Sequence, residues 1–263
     1  MSKENGFVSV ILTVHNQQDI VGQTIESLIK NASDAVNEII IIFDGCTDMS
    51  YEVVCSVITD YVNKFHFKII YAANVFETKA NNIGLKAVTN PYAIINQDDC
   101  WVLEKYYDQK LLKPILQFND VFAVSGRNAH DIMNRPDGTL FHPNCAGSNT
   151  EFHEQNIFYI RQVVNRGPLL LKMDIVKQLH YLDEDFAPLT YDDHSLCIEA
   201  AKKFDLRCGC VNINFRSDMH WGSTRKLDGM FFETVIRKNE KLFWGKHGEF
   251  LKNYNPVEER MLH

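Results

Sequence analysis

The sequence lacks the features that mark several classes of protein. No apolar run approaches the roughly 20 residues that span a bilayer, and the opening MSKENGFVSV lacks the basic and then apolar pattern of a signal peptide. We therefore expect a cytoplasmic protein. The formal net charge of −7 provides no general basic surface, which argues against nucleic acid as a partner and against strong affinity for anionic membranes.

The seven cysteines form no recognisable metal-binding pattern. Cys208 and Cys210 are spaced C-x-C, no second pair accompanies them, and the total is odd. In a cytoplasmic protein, reduced thiols packed as small apolar side chains are the default. We therefore expect free cysteines rather than a zinc site.

What the sequence contains is the composition of a soluble globular protein. Hydrophobic residues make up 45% and charged residues 23% of its 263 residues, which are ordinary proportions. This length suffices for one large α/β domain or two small ones. Because no internal repeat, low-complexity tract or obvious linker divides the chain, one domain is the simplest interpretation.

Strand-like and helix-like segments alternate along the first half of the chain. Apolar, β-branched runs lie at residues 7–15, 38–44, 67–72 and 92–96, and amphipathic segments lie between them. Asn16 is expected to cap the first helix. This alternation predicts an α/β fold with a doubly wound, mostly parallel sheet flanked by helices.

Polar clusters follow three of these predicted strands. They are His15-Asn16, Asp44-Gly45 and Asp98-Asp99. Ligands of such sheets bind beyond the C-terminal ends of the strands, so we expect the three clusters to converge on one rim.

The adjacent carboxylates Asp98 and Asp99 repel each other, and they persist together most easily with water or a cation between them. A hard divalent cation prefers such oxygen ligands. The alternative is that Asp99 caps a helix beginning near Leu103. Asp44 has two interpretations as well, since it can accept hydrogen bonds from a ribose hydroxyl or a base, or form an ordinary Asp-Gly turn.

The second half of the chain has weaker patterns. Residues 128–165 carry turn residues without a clear period, and we expect a long loop region there. Asp192 and Asp193 open a predicted helix, whose N-terminus favours an ionised carboxylate that can act as a general base or simply as a cap. His220 can ligate a metal, bind phosphate when protonated, or be structural.

Four motifs in order resemble one enzyme family. They are VSVILTVHN, EIIIIFDGCTD, KANNIGLKAV with YAIINQDDCW, and LDEDFAPLTYDDHSLCIEA. Across residues 7–223 this order is similar to the family 2 inverting glycosyltransferases of the GT-A fold. The resemblance implies a single GT-A domain with a nucleotide-sugar-binding half (1–126), an acceptor and catalytic half (127–226) and a C-terminal helical segment (227–263).

The resemblance also implies an activity. It is the transfer of a sugar from a nucleotide-diphosphate donor (a UDP-, GDP- or dTDP-sugar) to an acceptor hydroxyl, with Mn²⁺ or Mg²⁺ as cofactor, in glycan or polysaccharide synthesis. A glycan or a lipid-linked molecule would be the acceptor. A lipid-linked acceptor would require peripheral association with the membrane.

The family's functional residues map onto this chain motif by motif. Asp193 matches the catalytic base, and Asp192 takes the place of the glutamate before it. Asp98 and Asp99 match the metal-binding carboxylates, and His220 resembles a late histidine that in some members approaches the metal and diphosphate. The positions that match donor nucleotide-binding residues are Thr13, His15, Asn16, Asp44, Lys79, Asn96 and Asp98.

Departures from the family pattern leave two alternatives open. Asn96 replaces the first acid of the D-x-D motif, and Asn81 stands where arginine is usual, although Lys79 could supply that charge. These changes are compatible with a non-catalytic nucleotide-sugar-binding protein derived from a transferase. A sugar-nucleotide pyrophosphorylase is the other alternative, but it would favour a Gly-rich basic loop after the first strand, and TVHNQQD contains neither glycine nor lysine.

Overall fold

The computed structural model of the chain describes residues 6–147, 154–218, 220–222 and 229–263. Its helices are α1 (Val21–Asn31), α2 (Ser50–Ile58), α3 (Phe76–Ala87), α4 (Tyr107–Gln117), α5 (Met173–Gln178), α6 (Asp192–Phe204) and α7 (Gly229–Leu251). Its strands are β1 (Val8–Val14), β2 (Val36–Asp44), β3 (His66–Ala72), β4 (Tyr92–Gln97), β5 (Cys100–Val102), β6 (Val121–Ser125), β7 (Asn128–His130), β8 (Met133–Asn134), β9 (Leu140–Phe141), β10 (Ala146–Gly147), β11 (Ile157–Arg161), β12 (Val163–Val164), β13 (Leu169–Lys172), β14 (Arg207–Cys210), β15 (Phe215–Ser217) and β16 (Glu258–Met261).

Nine of these strands form one mixed sheet in the order β16-β11-β14-β6-β13-β4-β1-β2-β3. The first four strands of the predicted alternation, β1 to β4, are mutually parallel, as expected. β13 then pairs antiparallel with both β4 and β6. The sheet is therefore doubly wound and parallel on one side and mixed on the other.

Helices cover both faces of the sheet, which explains the near-continuous apolar strands. In β2, Ile39 and Ile41 pack into a core with α1, α2 and α4 on one face. Ile40 and Ile42 pack into a second core with α3, α5, α6 and α7 on the other. Because successive side chains of a strand point to opposite faces, a run of four isoleucines suits a strand that is buried on both sides.

Two segments contain more strand than the sequence pattern predicts. The region 128–165 was expected to be a long loop, but its described residues hold the short strands β7 to β12, and β11 joins the main sheet. The segment 227–263 is helical only as far as Leu251, since β16 forms an edge of the sheet. Strands of two to five residues are too short for a period-2 pattern to be recognised.

Helix α7 holds the loop that enters α6. The buried Asn239 amide donates to the carbonyls of Phe186 and Leu189, with N···O distances of 2.7 and 2.8 Å. This contact fixes the backbone immediately before Asp192.

Among the described residues, no helix combines the length and the apolar character needed to cross a membrane.

Candidate active site

A first cavity of about 170 Å³ lies at the C-terminal ends of β1, β2 and β4. Its lining residues are Thr13, Val14, His15, Asp44, Asn74, Phe76, Glu77, Ala80, Gln97, Asp98, Asp99 and Gly222. The structure thus brings together polar residues from all three predicted strand ends. The reason is topological, since parallel neighbours present their C-terminal ends at one edge of the sheet.

His15 ties these strand ends to one another. Its backbone N–H donates to the Asp98 carboxylate at 3.0 Å, and its Nδ1–H donates to the carbonyl of Asp44 at 2.5 Å. The end of β1 is therefore bonded both to the end of β2 and to the turn after β4. Through these two bonds His15 fixes the positions of the two carboxylate-bearing segments.

Asp44 does more than form a turn with Gly45. Its two carboxylate oxygens accept hydrogen bonds from the backbone N–H groups of Val75 and Phe76, at 2.7 and 2.8 Å. Gly45 takes a positive φ of 63°, and a Cβ there would meet Asn74 at 2.7 Å. Asp44 therefore positions the segment that enters α3 while lining the cavity.

Asp98 and Asp99 form the turn between β4 and β5. The alternative that Asp99 caps a following helix is wrong, because β5 intervenes and α4 begins only at Tyr107. Asn96 lies beneath this turn rather than on the cavity wall, and its amide donates to the carbonyls of Gln97 and Cys100, both at 2.9 Å. Burial, and after it the neighbouring Asp99 carboxylate, raises the pKa of Asp98 to about 8.

Three other candidate residues lie outside the cavity lining. Asn16 does not cap α1, which begins at Val21, because it adopts a left-handed conformation and accepts a hydrogen bond from the N–H of Thr47 at 2.8 Å. Lys79 is exposed on α3. His220 is also exposed, two residues from the cavity residue Gly222. Donor-binding roles for Asn16 and Lys79 and a metal-binding role for His220 stay predictions.

A second cavity, of about 560 Å³, adjoins the first. The two share Glu77 and Gln97 in their walls, and the Gln97 amide donates to the Glu77 carboxylate at 3.0 Å. Asp193, in the first turn of α6, lines this second cavity. The proposed base and the carboxylate pair therefore face adjoining spaces that share two lining residues.

The wall of the second cavity contains a buried arginine that no sequence motif indicated, and this arginine lies among three carboxylates. The Arg166 guanidinium forms an ion pair with Asp192 and lies 3.4 Å from the Asp193 carboxylate and 3.6 Å from that of Glu77. Burial raises the pKa values of Glu77 and Asp192, while the Arg166 charge opposes the rise. The sequence feature that could have indicated this role is the single arginine inside the apolar run VVNRGPLLL, since an arginine is rarely buried without a charged partner.

The sequence itself decides the family. A model of the family described as "Glycosyl transferase family 2" matches residues 9–166, which is more than half of the chain. The chain belongs to glycosyl transferase family 2. A comparison with curated proteins finds no significant match.

Solved structures show that this family 2 chain has the GT-A glycosyltransferase fold. One such structure is the glucosyl-3-phosphoglycerate synthase from Mycobacterium tuberculosis in complex with Mn²⁺, UDP and glucosyl-3-phosphoglycerate. The match covers 94% of this chain and 82% of the synthase chain, with 13% sequence identity and a TM-score of 0.58. Another is GalNAc-T7 with UDP, GalNAc and Mn²⁺, where the match covers 97% of this chain and 59% of the GalNAc-T7 chain, with 11% sequence identity and a TM-score of 0.66.

A mannosyltransferase from Pyrobaculum calidifontis, in complex with GDP-Man and Mn²⁺, matches 78% of this chain with 14% identity and a TM-score of 0.56. This chain spans only 54% of that protein's length. At such low identities the likeness concerns the fold. Together with the family, it supports a glycosyl transfer enzyme.

Proposed function

We propose that the chain is a metal-dependent inverting glycosyltransferase that moves a sugar from a nucleotide-diphosphate donor to an acceptor hydroxyl. The observation that carries this proposal is the pair of adjoining cavities. One contains the carboxylates Asp98 and Asp99, and the other contains Asp193. Donor and acceptor bound in these cavities would meet at the wall formed by Glu77 and Gln97.

The chemistry of the first cavity fits a divalent cation. Asp98 and Asp99 place two carboxylates next to each other, and burial together with the Asp99 charge raises the pKa of Asp98. No group of three or more His, Cys, Asp or Glu residues in the described part of the chain is arranged to hold a metal. Mg²⁺ is usually held by one or two carboxylates together with substrate phosphates and water, and Asp98 and Asp99 would supply the carboxylates. When bound, Mg²⁺ or Mn²⁺ would neutralise the donor diphosphate as it leaves.

Asp193 is the proposed general base. Its carboxylate accepts hydrogen bonds from the backbone N–H groups of Arg166 and His194, at 3.2 and 2.9 Å, which fixes its orientation in the cavity wall. The acceptor hydroxyl transfers its proton to Asp193 as its oxygen bonds to the anomeric carbon. The bond from that carbon to the donor phosphate oxygen breaks in the same displacement, so the anomeric configuration inverts and no enzyme nucleophile is required.

The affinity for Mg²⁺ should depend on pH. Because the pKa of Asp98 is about 8 without a cation, the carboxyl carries a proton at pH 6 that must leave before it can ligate metal. We expect the affinity to rise about tenfold per pH unit between pH 6 and about 8, and to level off above that. Calorimetric titrations in buffers of different ionisation enthalpy would count the released proton, and an unchanged affinity over this range would contradict the expectation.

A screen of nucleotide sugars tests the function itself. UDP-, GDP- and dTDP-sugars would be added with and without Mn²⁺, and the thermal unfolding midpoint would be measured. We expect one class of donor to raise the midpoint only when Mn²⁺ is present, and to be slowly hydrolysed. Stabilisation by a donor without hydrolysis or transfer would indicate instead the non-catalytic nucleotide-sugar-binding protein. A lipid-linked acceptor met at a membrane surface stays a prediction.

A further inference from the structure

The second cavity has a wall rich in buried polar atoms that have no hydrogen-bond partner among the described residues. They are Nε2 of His130, both ring nitrogens of His194, Oδ1 of Asn128, Oδ1 of Asn165 and Oγ1 of Thr190. His130 and His194 are only 4% and 6% exposed. An unsatisfied buried polar atom destabilises the folded state, so a cluster of them around one cavity points to a ligand that supplies many hydrogen-bonding groups.

Three histidine rings from different elements meet on this wall. His130 comes from β7, His142 follows β9, and His194 is the residue after Asp193 in α6. The ring centroid of His130 lies 4.5 Å from that of His142 and 5.0 Å from that of His194. Segments distant in sequence thus bring three imidazoles to the space beside the proposed base.

These imidazoles are neutral hydrogen-bonding groups. Burial lowers the pKa of His130 and His194 well below the usual value for histidine. A neutral imidazole offers one N–H donor and one nitrogen acceptor. A hydroxyl group is likewise both donor and acceptor, so several neutral histidines suit a ligand that carries several hydroxyls.

The charges in the second cavity argue against an anionic ligand. Its lining includes the carboxylates of Glu77, Asp193 and Glu240, the guanidiniums of Arg127 and Arg166, and no lysine among the described residues. Arg166 is already surrounded by carboxylates. Arg127 donates to the carbonyl of Gly167 at 3.3 Å and stacks on an aromatic ring. A phosphate or carboxylate group would therefore meet more negative than positive charge.

We propose that the second cavity binds the acceptor as an uncharged sugar unit, whose hydroxyls are held by His130, His142 and His194 beside Asp193. This inference rests on the proposed glycosyltransferase function and specifies its acceptor. The cavity volume of about 560 Å³ lies within the range of small-molecule sites. The histidines are specificity-determining residues, since they would select hydroxyl-rich neutral acceptors over phosphorylated ones.

An acceptor panel with the donor identified by the screen tests this proposal. Methyl hexopyranosides and methyl N-acetylhexosaminides would be compared with glucose 6-phosphate, 3-phosphoglycerate and a serine- and threonine-containing peptide. We expect transfer to at least one neutral glycoside with the highest kcat/KM in the panel. A preference for a phosphorylated acceptor or for the peptide would overturn the proposal.

Variants of the histidines test their role directly. His142→Ala and His130→Asn should each raise the acceptor KM about tenfold, the effect of losing one or two hydrogen bonds, while the donor KM stays within about twofold. His142 is exposed, so its variant should fold even if the His130 variant does not. His66→Ala, an exposed histidine at the start of β3, is the matched control and should change nothing.

The outcomes separate this inference from the proposed function. If no nucleotide sugar binds with Mn²⁺, the proposed function fails and this inference fails with it. If the donor binds and is hydrolysed but no neutral glycoside accepts the sugar, only this inference is overturned. An unchanged acceptor KM in both histidine variants would also overturn it alone.

Discussion

Replacing Asp193 with asparagine should lower the rate of sugar transfer by at least about 10²-fold and leave binding of the nucleotide donor with Mn²⁺ nearly unchanged. General base catalysis contributes roughly 10²–10⁴-fold, and an amide cannot take up the acceptor's proton. Asparagine has nearly the size of aspartate. Arg166 would keep Asp192 and Glu77 as partners, so the buried cluster should survive the change. Single-turnover transfer assays and donor titrations would measure the two quantities separately.

The control for this variant directly follows the same helix. Asp205, at the C-terminal end of α6, is exposed and takes a positive φ of 52° that asparagine tolerates well. Asp205→Asn should therefore leave both transfer and donor binding unchanged. A normal transfer rate in Asp193→Asn would show that another group removes the proton.

Replacing Asp98 or Asp99 with asparagine should weaken cation-dependent nucleotide binding by at least about 100-fold. Each substitution removes one charged oxygen ligand from the pair, and an amide is a much weaker ligand for a hard cation. The expected loss appears in titrations of UDP or GDP with Mn²⁺ and is absent in titrations without it. Asp60→Asn, in the exposed turn after α2, is the matched control. Equal nucleotide affinity in wild type and both variants would contradict the assignment of the metal site.

The same Asp98→Asn substitution should stabilise the protein when no cation is present. The pKa of Asp98 is about 8 in the folded protein and roughly 3.9 in an unfolded chain, so the folded state binds the proton more tightly. Between these two pH values the unfolded chain loses the proton while the folded protein keeps it, so the free energy of unfolding falls as the pH rises. Asparagine avoids that cost, and the free energy of unfolding at pH 8 should rise by on the order of 1 kcal/mol or more. Below about pH 4 the difference should vanish, as chemical denaturation at both pH values would show.

The first cavity could largely be predicted from the sequence, because a physical rule connects the pattern to the position. Strands β1, β2 and β4 are long apolar runs, and parallel strands present their ends at one edge. Asp44, Asp98 and Asp99 therefore had to lie near one another. The resemblance to family 2 supplied Asp193, which no periodic pattern places next to that edge.

The rest of the site depends on contacts between residues distant in the chain. Arg166 meets Glu77 across 89 positions, and neither residue shows a local signal of that pairing. Asn16 has the side chain of a helix cap, but the chain makes a further turn before α1, so its oxygen accepts from Thr47 instead. The histidine cluster was missed for the same reason, since β7, the segment after β9 and α6 meet only in the folded chain.

Crystals grown with Mn²⁺ and the nucleoside diphosphate chosen by the donor screen would show directly whether Asp98 and Asp99 hold the cation and the donor diphosphate. Anomalous scattering locates manganese without reference to the protein's own density. We expect one strong peak within coordination distance of the Asp98 or Asp99 carboxylate, with the diphosphate oxygens on its other side and the nucleoside along Thr13, His15 and Asp44. Manganese and diphosphate bound together anywhere else on the protein would contradict it.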